Sequence, residues 1–165
     1  MAKRRSSATS EGFTLLELIL VLVLMGLVAG LATPFVMSTV ERIQLNTATR
    51  KMAAALRYAR NEAVTHKKRY LFSVDIDANR YSLSRGDDEE QTLERTVEGD
   101  ARVAAYENES EPVSSGVFSI QFFPQGSASG GKIRIEPVER EESDSYYVIT
   151  IDPVTGASRI EQKES

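Results

Sequence analysis

The sequence predicts an α+β protein: one long N-terminal helix, membrane-spanning in its first half, whose second half packs on an antiparallel β-sheet domain. Three observations predict it. An uncharged run of 23 residues, Leu18–Val40, lies near the N-terminus. An amphipathic stretch free of glycine and proline follows it, from Glu41 to Lys68. Short runs of strand character, separated by turn residues, fill the remainder.

The apolar run sets the class. At about 1.5 Å per residue, a helix of this length crosses the roughly 30 Å hydrocarbon core of a bilayer. Lys3, Arg4 and Arg5 precede it, so a short N-terminus stays cytoplasmic and everything after Val40 is expected outside the inner membrane. A secretory signal peptide has an apolar core of only about 7–15 residues. Here the core is longer, and Ala29-Gly30-Leu31-Ala32 is a poor cleavage site placed too deep. A plain anchor fits the length but does not explain Glu17, set within Phe13-Thr14-Leu15-Leu16-Glu17-Leu18-Ile19-Leu20. A charged side chain at the centre of a membrane helix costs about 2.5–3.5 kcal/mol, less near the edge. A glutamate reaching back to headgroups is the simpler account; ionisable groups at such positions are more often functional.

Gly12-Phe13-Thr14-Leu15-Leu16-Glu17, after a short basic leader and before a long apolar run, resembles the type IV prepilin processing signal. The resemblance implies that a prepilin peptidase cuts between Gly12 and Phe13 and N-methylates Phe13. Glu17 then becomes the fifth residue of the mature chain. Glycine suits the cut, since without a Cβ it admits a protease close to the backbone. Cleavage leaves a positive amine at Phe13, as unwelcome in hydrocarbon as the carboxylate. The resemblance further implies that Glu17 pairs with the Phe13 amine of a neighbouring subunit, which makes Glu17 an assembly device rather than a catalytic one.

Pro34 falls within the apolar helix. It lacks a backbone N–H and crowds the preceding turn, so a kink is expected there. Gly26 and Gly30, four apart, suit a small-residue packing face or ordinary membrane-helix composition equally well. Past this segment, Val40, Ile43, Ala48, Met52, Ala55, Leu56, Ala59 and Ala63 recur mostly at three- and four-residue steps, and charged residues fill much of the remaining surface. One helix is therefore expected from about Phe13 to about His66. His66, Lys67, Lys68 and Arg69 close it, where positive charge suits the dipole.

Strands are expected at Tyr70–Asp75, Tyr81–Arg85, Thr92–Val97, Arg102–Tyr106, Val117–Phe123, Lys132–Glu136, Tyr146–Asp152 and Ser158–Glu161. Asp77-Ala78-Asn79 links the first two, and Asp152-Pro153-Val154-Thr155-Gly156 makes a final hairpin. An antiparallel sheet laid on the amphipathic half-helix buries both apolar faces.

Composition narrows the chemistry. The 165 residues carry a net charge of −4, with +2 in residues 1–12 and −6 in the rest, which argues against nucleic acid as a partner. There is no cysteine and one histidine, His66, so disulfides, thiolate catalysis and a Cys- or His-based metal centre are all excluded. The acidic turn Gly86-Asp87-Asp88-Glu89-Glu90 lacks EF-hand spacing and reads as solvated loop charge rather than a calcium site. The glycine-rich stretch Phe123–Gly131 lacks the lysine-serine/threonine pair and the following helix of a phosphate loop, so it reads as a connection between strands. No spacing suggests a hydrolase. No enzyme activity, cofactor or metal is expected.

Three further stretches narrow the resemblance to the GspH/FimT group of minor pilin-like proteins: Ala54–Ala63, the Phe-x-Pro-x-Gly-x-x-Ser-Gly-Gly stretch from Phe122 to Gly131, and Ile151–Gly156. Residues 86–115 match nothing in that pattern. The group implies a pilin-like fold with a leader at 1–12, a transmembrane and filament-core helix at 13–40, and a periplasmic domain at 41–165. That domain comprises a half-helix at 41–66 and β-sheets at 69–165. It implies a minor pseudopilin that waits in membrane lipid and is drawn into a short periplasmic pseudopilus to help push folded proteins across the outer membrane. The implied partners are the major and other minor pseudopilins, the inner-membrane assembly platform and the prepilin peptidase. The alternative is a type IV minor pilin acting in pilus assembly or DNA uptake.

Overall fold

The computed structural model describes residues 13–86, 91–108, 112–139 and 145–164, with side chains described throughout these except at 31–39, 91 and 92. The chain divides into two compact units, Met1–Thr39 and Val40–Ser165. Helix α1 is Leu15–His66, and eight strands follow: β1 Tyr70–Asp75, β2 Arg80–Arg85, β3 Gln91–Thr96, β4 Ala101–Glu107, β5 Val117–Phe122, β6 Gly131–Pro137, β7 Tyr146–Ile151 and β8 Ser158–Lys163. Each expected strand is present within two residues at either end.

Helix α1 ends where its sequence stops favouring helix. Lys67 takes a left-handed conformation, φ +55°, as the residue after the last helical one, a place where glycine is commoner. Within the second unit, α1 buries Leu45, Ala48, Thr49, Met52, Ala53, Ala55, Leu56, Ala59 and Ala63. Five of these nine are alanine, which lets the helix axis approach the strands closely. Thr49 turns its hydroxyl to the carbonyl of Leu45 at 2.8 Å, so burial leaves no polar group unsatisfied there. Val40 and Ile43 depart from expectation, being 44% and 61% exposed. At 100° per residue, Ile43 lies about 200° around the helix from Leu45 and Val40 about 140° away, so neither shares the buried face.

The strands form two four-stranded antiparallel sheets rather than one, ordered β3-β2-β1-β5 and β4-β6-β7-β8. Alternation decides which residues go inward: Tyr70, Phe72 and Val74 from β1, Phe118, Ile120 and Phe122 from β5, Ile133 and Ile135 from β6, Ile149 and Ile151 from β7. These join the alanine face of α1 in one hydrophobic core. Both turn readings hold. Asn79 adopts φ +50° between β1 and β2, and the Ala78 N–H donates to Asp75 Oδ1 at 2.9 Å. In the β7–β8 hairpin, Asp152 Oδ1 accepts from the N–H groups of Val154 and Thr155 and from the Thr155 hydroxyl, at 3.0, 2.7 and 2.9 Å. The Thr155 N–H foremost, with its hydroxyl, holds the Asp152 carboxyl below the usual range. Its contribution is therefore present above the unfolded value and lost as pH falls through the folded one.

Burial acts oppositely on the phenols of Tyr70, Tyr81 and Tyr106, pushing each above the ordinary tyrosine value. A raised acid of this kind stabilises the fold below pH about 10, and that contribution is lost as pH rises through the folded value. We therefore expect three of the six tyrosines to resist ionisation until the domain unfolds in alkali. The chain has no tryptophan, so phenolate absorbance reports this cleanly. Reversible ionisation of all six near the ordinary value, with the fold intact, contradicts it.

Candidate assembly site

The first unit presents the residues on which processing and assembly are expected to depend. Thr14 caps α1: the Glu17 N–H donates to Thr14 Oγ1 at 3.2 Å and to the Thr14 carbonyl at 3.1 Å. Thr14-Leu15-Leu16-Glu17 thus has the spacing of a capping box, a signal the sequence carried but the reading above missed. Glu17 lies in the first turn, where the helix dipole favours a carboxylate. Phe13 is 77% exposed, and the apolar side chains from Leu15 to Val28 are exposed with it. Exposed apolar surface so continuous marks a region that another surface covers. Gly12 lies outside the described residues. The helix runs through Pro34, whose side chain is not among those described. Among the described residues no helix is long and apolar enough to cross a membrane; described side chains in the apolar segment stop at Gly30 and resume at Val40.

The second unit brings together the three stretches that carried the narrower resemblance. Arg60 reaches from α1 and its Nε donates to the carbonyl of Gly126 at 3.1 Å and of Thr155 at 2.7 Å. Gly126 belongs to the glycine-rich connection between β5 and β6, Thr155 to the β7–β8 hairpin. One guanidinium therefore ties the helix to the connection between the two sheets and to the last hairpin of the second. Gly156 beside it has φ +63°, and a Cβ there would sit 2.4 Å from the Gly126 carbonyl oxygen. At the other end of the same connection, Gly131 (φ +123°) leaves room for Tyr106, which stacks on Phe118 at 4.2 Å and donates its hydroxyl to the Gly130 carbonyl at 2.8 Å. The glycines of Phe122–Gly131 thus serve packing, and no phosphate cradle forms.

The remaining polar clusters are structural. Glu136 is buried between Arg102, at 2.6 Å, and Arg134, at 3.4 Å. His66 meets Glu62 at 3.3 Å on successive turns of α1. No group of acidic residues or histidine among the described residues is arranged to hold a metal. The acidic turn at 87–90 lies outside them.

The sequence model of the family described as type II transport protein GspH matches residues 48–155, from the buried face of α1 to the final hairpin. The chain belongs to that family. A curated relative, type II secretion system protein H of Xanthomonas campestris pv. campestris, is 29% identical over 151 residues, covering 90% of this chain and 82% of that protein. Two solved structures share the fold. The minor pseudopilin EpsH of the Vibrio cholerae type 2 secretion system superposes with a TM-score of 0.54 at 15% identity, over 72% of this chain and 96% of that one. The Pseudomonas aeruginosa type IV minor pilin FimU gives 0.57 at 17% identity, over 76% and 95%. The fold is pilin-like: an N-terminal helix packed on antiparallel sheets. The GspH family is one of structural pseudopilin subunits.

Proposed function

We propose that the chain is a minor pseudopilin, a structural subunit of the type II secretion pseudopilus that helps export folded proteins across the outer membrane. The family match over residues 48–155 carries this reading. The exposed apolar helix surface from Leu15 to Val28 supports it, since a subunit that stores this surface in lipid and then buries it against other helices needs it uncovered in the single chain. In this reading residues 1–12 are a leader, 13–40 cross the inner membrane with the N-terminus cytoplasmic, and 41–165 form the periplasmic domain. Prepilin peptidase cuts between Gly12 and Phe13 and methylates Phe13. The chain is then extracted by the inner-membrane assembly platform and packs with the major and other minor pseudopilins. Pro34 bends the filament-core helix.

Mass spectrometry of the chain recovered from assembled fibres tests the processing step. The expected N-terminus is methylated Phe13; an intact Met1 contradicts it. The likeness to FimU keeps a second reading in view, a type IV minor pilin in pilus assembly or DNA uptake. Residues 70–165 carry nine basic against twenty acidic residues, which disfavours a polyanion on that part. Micromolar binding of double-stranded DNA at low salt would favour this second reading; restored secretion in a strain lacking its own subunit favours the first.

A further inference from the structure

Strand β3 is one edge of the first sheet. Its pairing with β2 is antiparallel, with Arg80 opposite Thr96 and Ser82 opposite Glu94. The Val97 N–H donates to the Asn79 carbonyl at 2.9 Å, so Asn79 and Val97 are a hydrogen-bonded pair. Such pairs alternate along an antiparallel ladder, so Thr96 and Glu94 are not bonded to β2 through their backbones. Their N–H and C=O groups point outward, away from the sheet, and no described segment pairs with them.

Beneath this edge, between β3 and α1, lies a groove of about 520 Å³. Ala54, Ala55, Tyr58, Leu93 and Val97 give it apolar walls; Lys51 and Arg95 set two cations on its rim against the one carboxylate of Glu98. The opposite flank of α1 is closed by the chain itself. There Asn46 Nδ2 donates to the Tyr147 hydroxyl at 2.9 Å, and that hydroxyl donates to Gln162 at 3.3 Å. On the β3 side α1 is tied to the chain past the end of the strand, by the exposed Lys51–Glu98 ion pair and by the Asp100 N–H, which donates to Gln44 Oε1 at 3.0 Å. Among the described residues no such bond runs from β3 itself to α1. Charge favours an acidic visitor: Lys51 and Glu98 offset one another, and Arg95 leaves the lining with a net positive charge.

We propose that an extended acidic and apolar segment of a neighbouring filament subunit docks in this groove as a fifth strand beside β3. Its backbone bonds to Glu94 and Thr96, alternate apolar side chains fill the groove above Ala54 and Leu93, and a carboxylate meets Arg95. The charges of Glu94 and Arg80 on the other face of the sheet discourage indiscriminate edge pairing, so the groove selects by side chain as well as by strand. Only the source of the segment rests on the filament-subunit reading; the chemistry of the groove does not.

The test uses the full chain in detergent micelles, with a capped hexapeptide of alternating valine and glutamate as probe and its valine–lysine counterpart as control. The acidic peptide is expected to bind with a Kd on the order of 100 μM and to slow amide exchange at Glu94 and Thr96, the basic one at least about tenfold more weakly. Thr96→Pro removes an outward N–H while sparing the β2 ladder, and should weaken binding about tenfold. Should that variant disturb the fold, Ala54→Trp, which fills the groove from an exposed helix position, decides instead by the same loss. Equal binding of both peptides, or protection at β8 in place of β3, overturns the proposal. In fibres, Leu93→Cys in this otherwise cysteine-free chain, alkylated with a maleimide-linked benzophenone and irradiated, is expected to cross-link to a neighbouring subunit by insertion into one of its C–H bonds; a cross-link only to secreted cargo, or none, overturns the assignment of source. Peptide binding needs no fibre, so its failure leaves the pseudopilin reading standing, and failure to restore secretion leaves the groove standing.

Discussion

Replacing Gly156 by alanine is expected to lower stability by about 2–5 kcal/mol, and Tm by roughly 10 °C. Two costs add. A left-handed φ of +63° strains any residue with a Cβ, by about 1–2 kcal/mol. The new methyl then meets the Gly126 carbonyl oxygen at 2.4 Å, a backbone atom already held by Arg60, so the clash is relieved only by moving a loop, at about 1–3 kcal/mol. Gly126→Ala is the informative comparison. Its φ is also positive, but its nearest neighbour is the far end of the Arg60 side chain at 3.3 Å, which can give way. It should lose about half as much. Arg60→Ala leaves two carbonyls without their donor, for about 1–3 kcal/mol, and should couple to Gly156→Ala in a double-mutant cycle. Thermal unfolding of the three variants checks this; an unchanged Tm for Gly156→Ala would show that the two loops do not pack as described.

That junction also shows where sequence reading stops. Ala54–Ala63, Phe122–Gly131 and Ile151–Gly156 were visible as separate stretches, and the glycines in two of them were visible as turn residues. Nothing local says that all three meet at Arg60, because the separations from Gly126 and Thr155 are 66 and 95 residues. Strand existence was legible for the opposite reason. Alternation in Lys132-Ile133-Arg134-Ile135-Glu136 is local, and burial follows it through Ile133 and Ile135. Sheet membership was not legible, since β5 joins the first sheet beside β1 only by crossing past β4. Residues 86–115, where no motif was legible in the sequence, lie within the matched span 48–155 and supply β3 and β4, one of the two edge strands of each sheet. Midway along α1, Val40 and Ile43 show that apolar character alone does not give direction: their angle relative to Leu45 decides, and it turns them out. Of the expected assembly residues, Phe13 and Glu17 fall on described chain and Gly12 does not, so the processing signal stands on its residue types.

Glu17→Ala is expected to abolish incorporation into the fibre while leaving the β-domain untouched. The separation of the two units makes the second half of this expectation firm, since Glu17 lies in Met1–Thr39 and the hydrophobic core in Val40–Ser165. The first half follows from electrostatics. Under the proposed processing, the amine left at Phe13 and the carboxylate of Glu17 would each be tolerated in a bundle of apolar helices only by meeting. Removing one partner of such a buried pair costs about 3–5 kcal/mol, because the other charge stays behind unpaired. That is about 10²–10⁴-fold in the equilibrium between membrane pool and fibre. The capping geometry offers a rival explanation, which a second variant separates. Thr14→Ala removes the hydroxyl that accepts from the Glu17 N–H but keeps the carboxylate, so it should cost only about 1 kcal/mol of helix stability. Were capping the whole role of this turn, Thr14→Ala and Glu17→Ala would reduce incorporation alike. Charge pairing predicts a gap of at least about tenfold between them, with Glu17→Gln on the side of the alanine variant because it too leaves the amine without a countercharge.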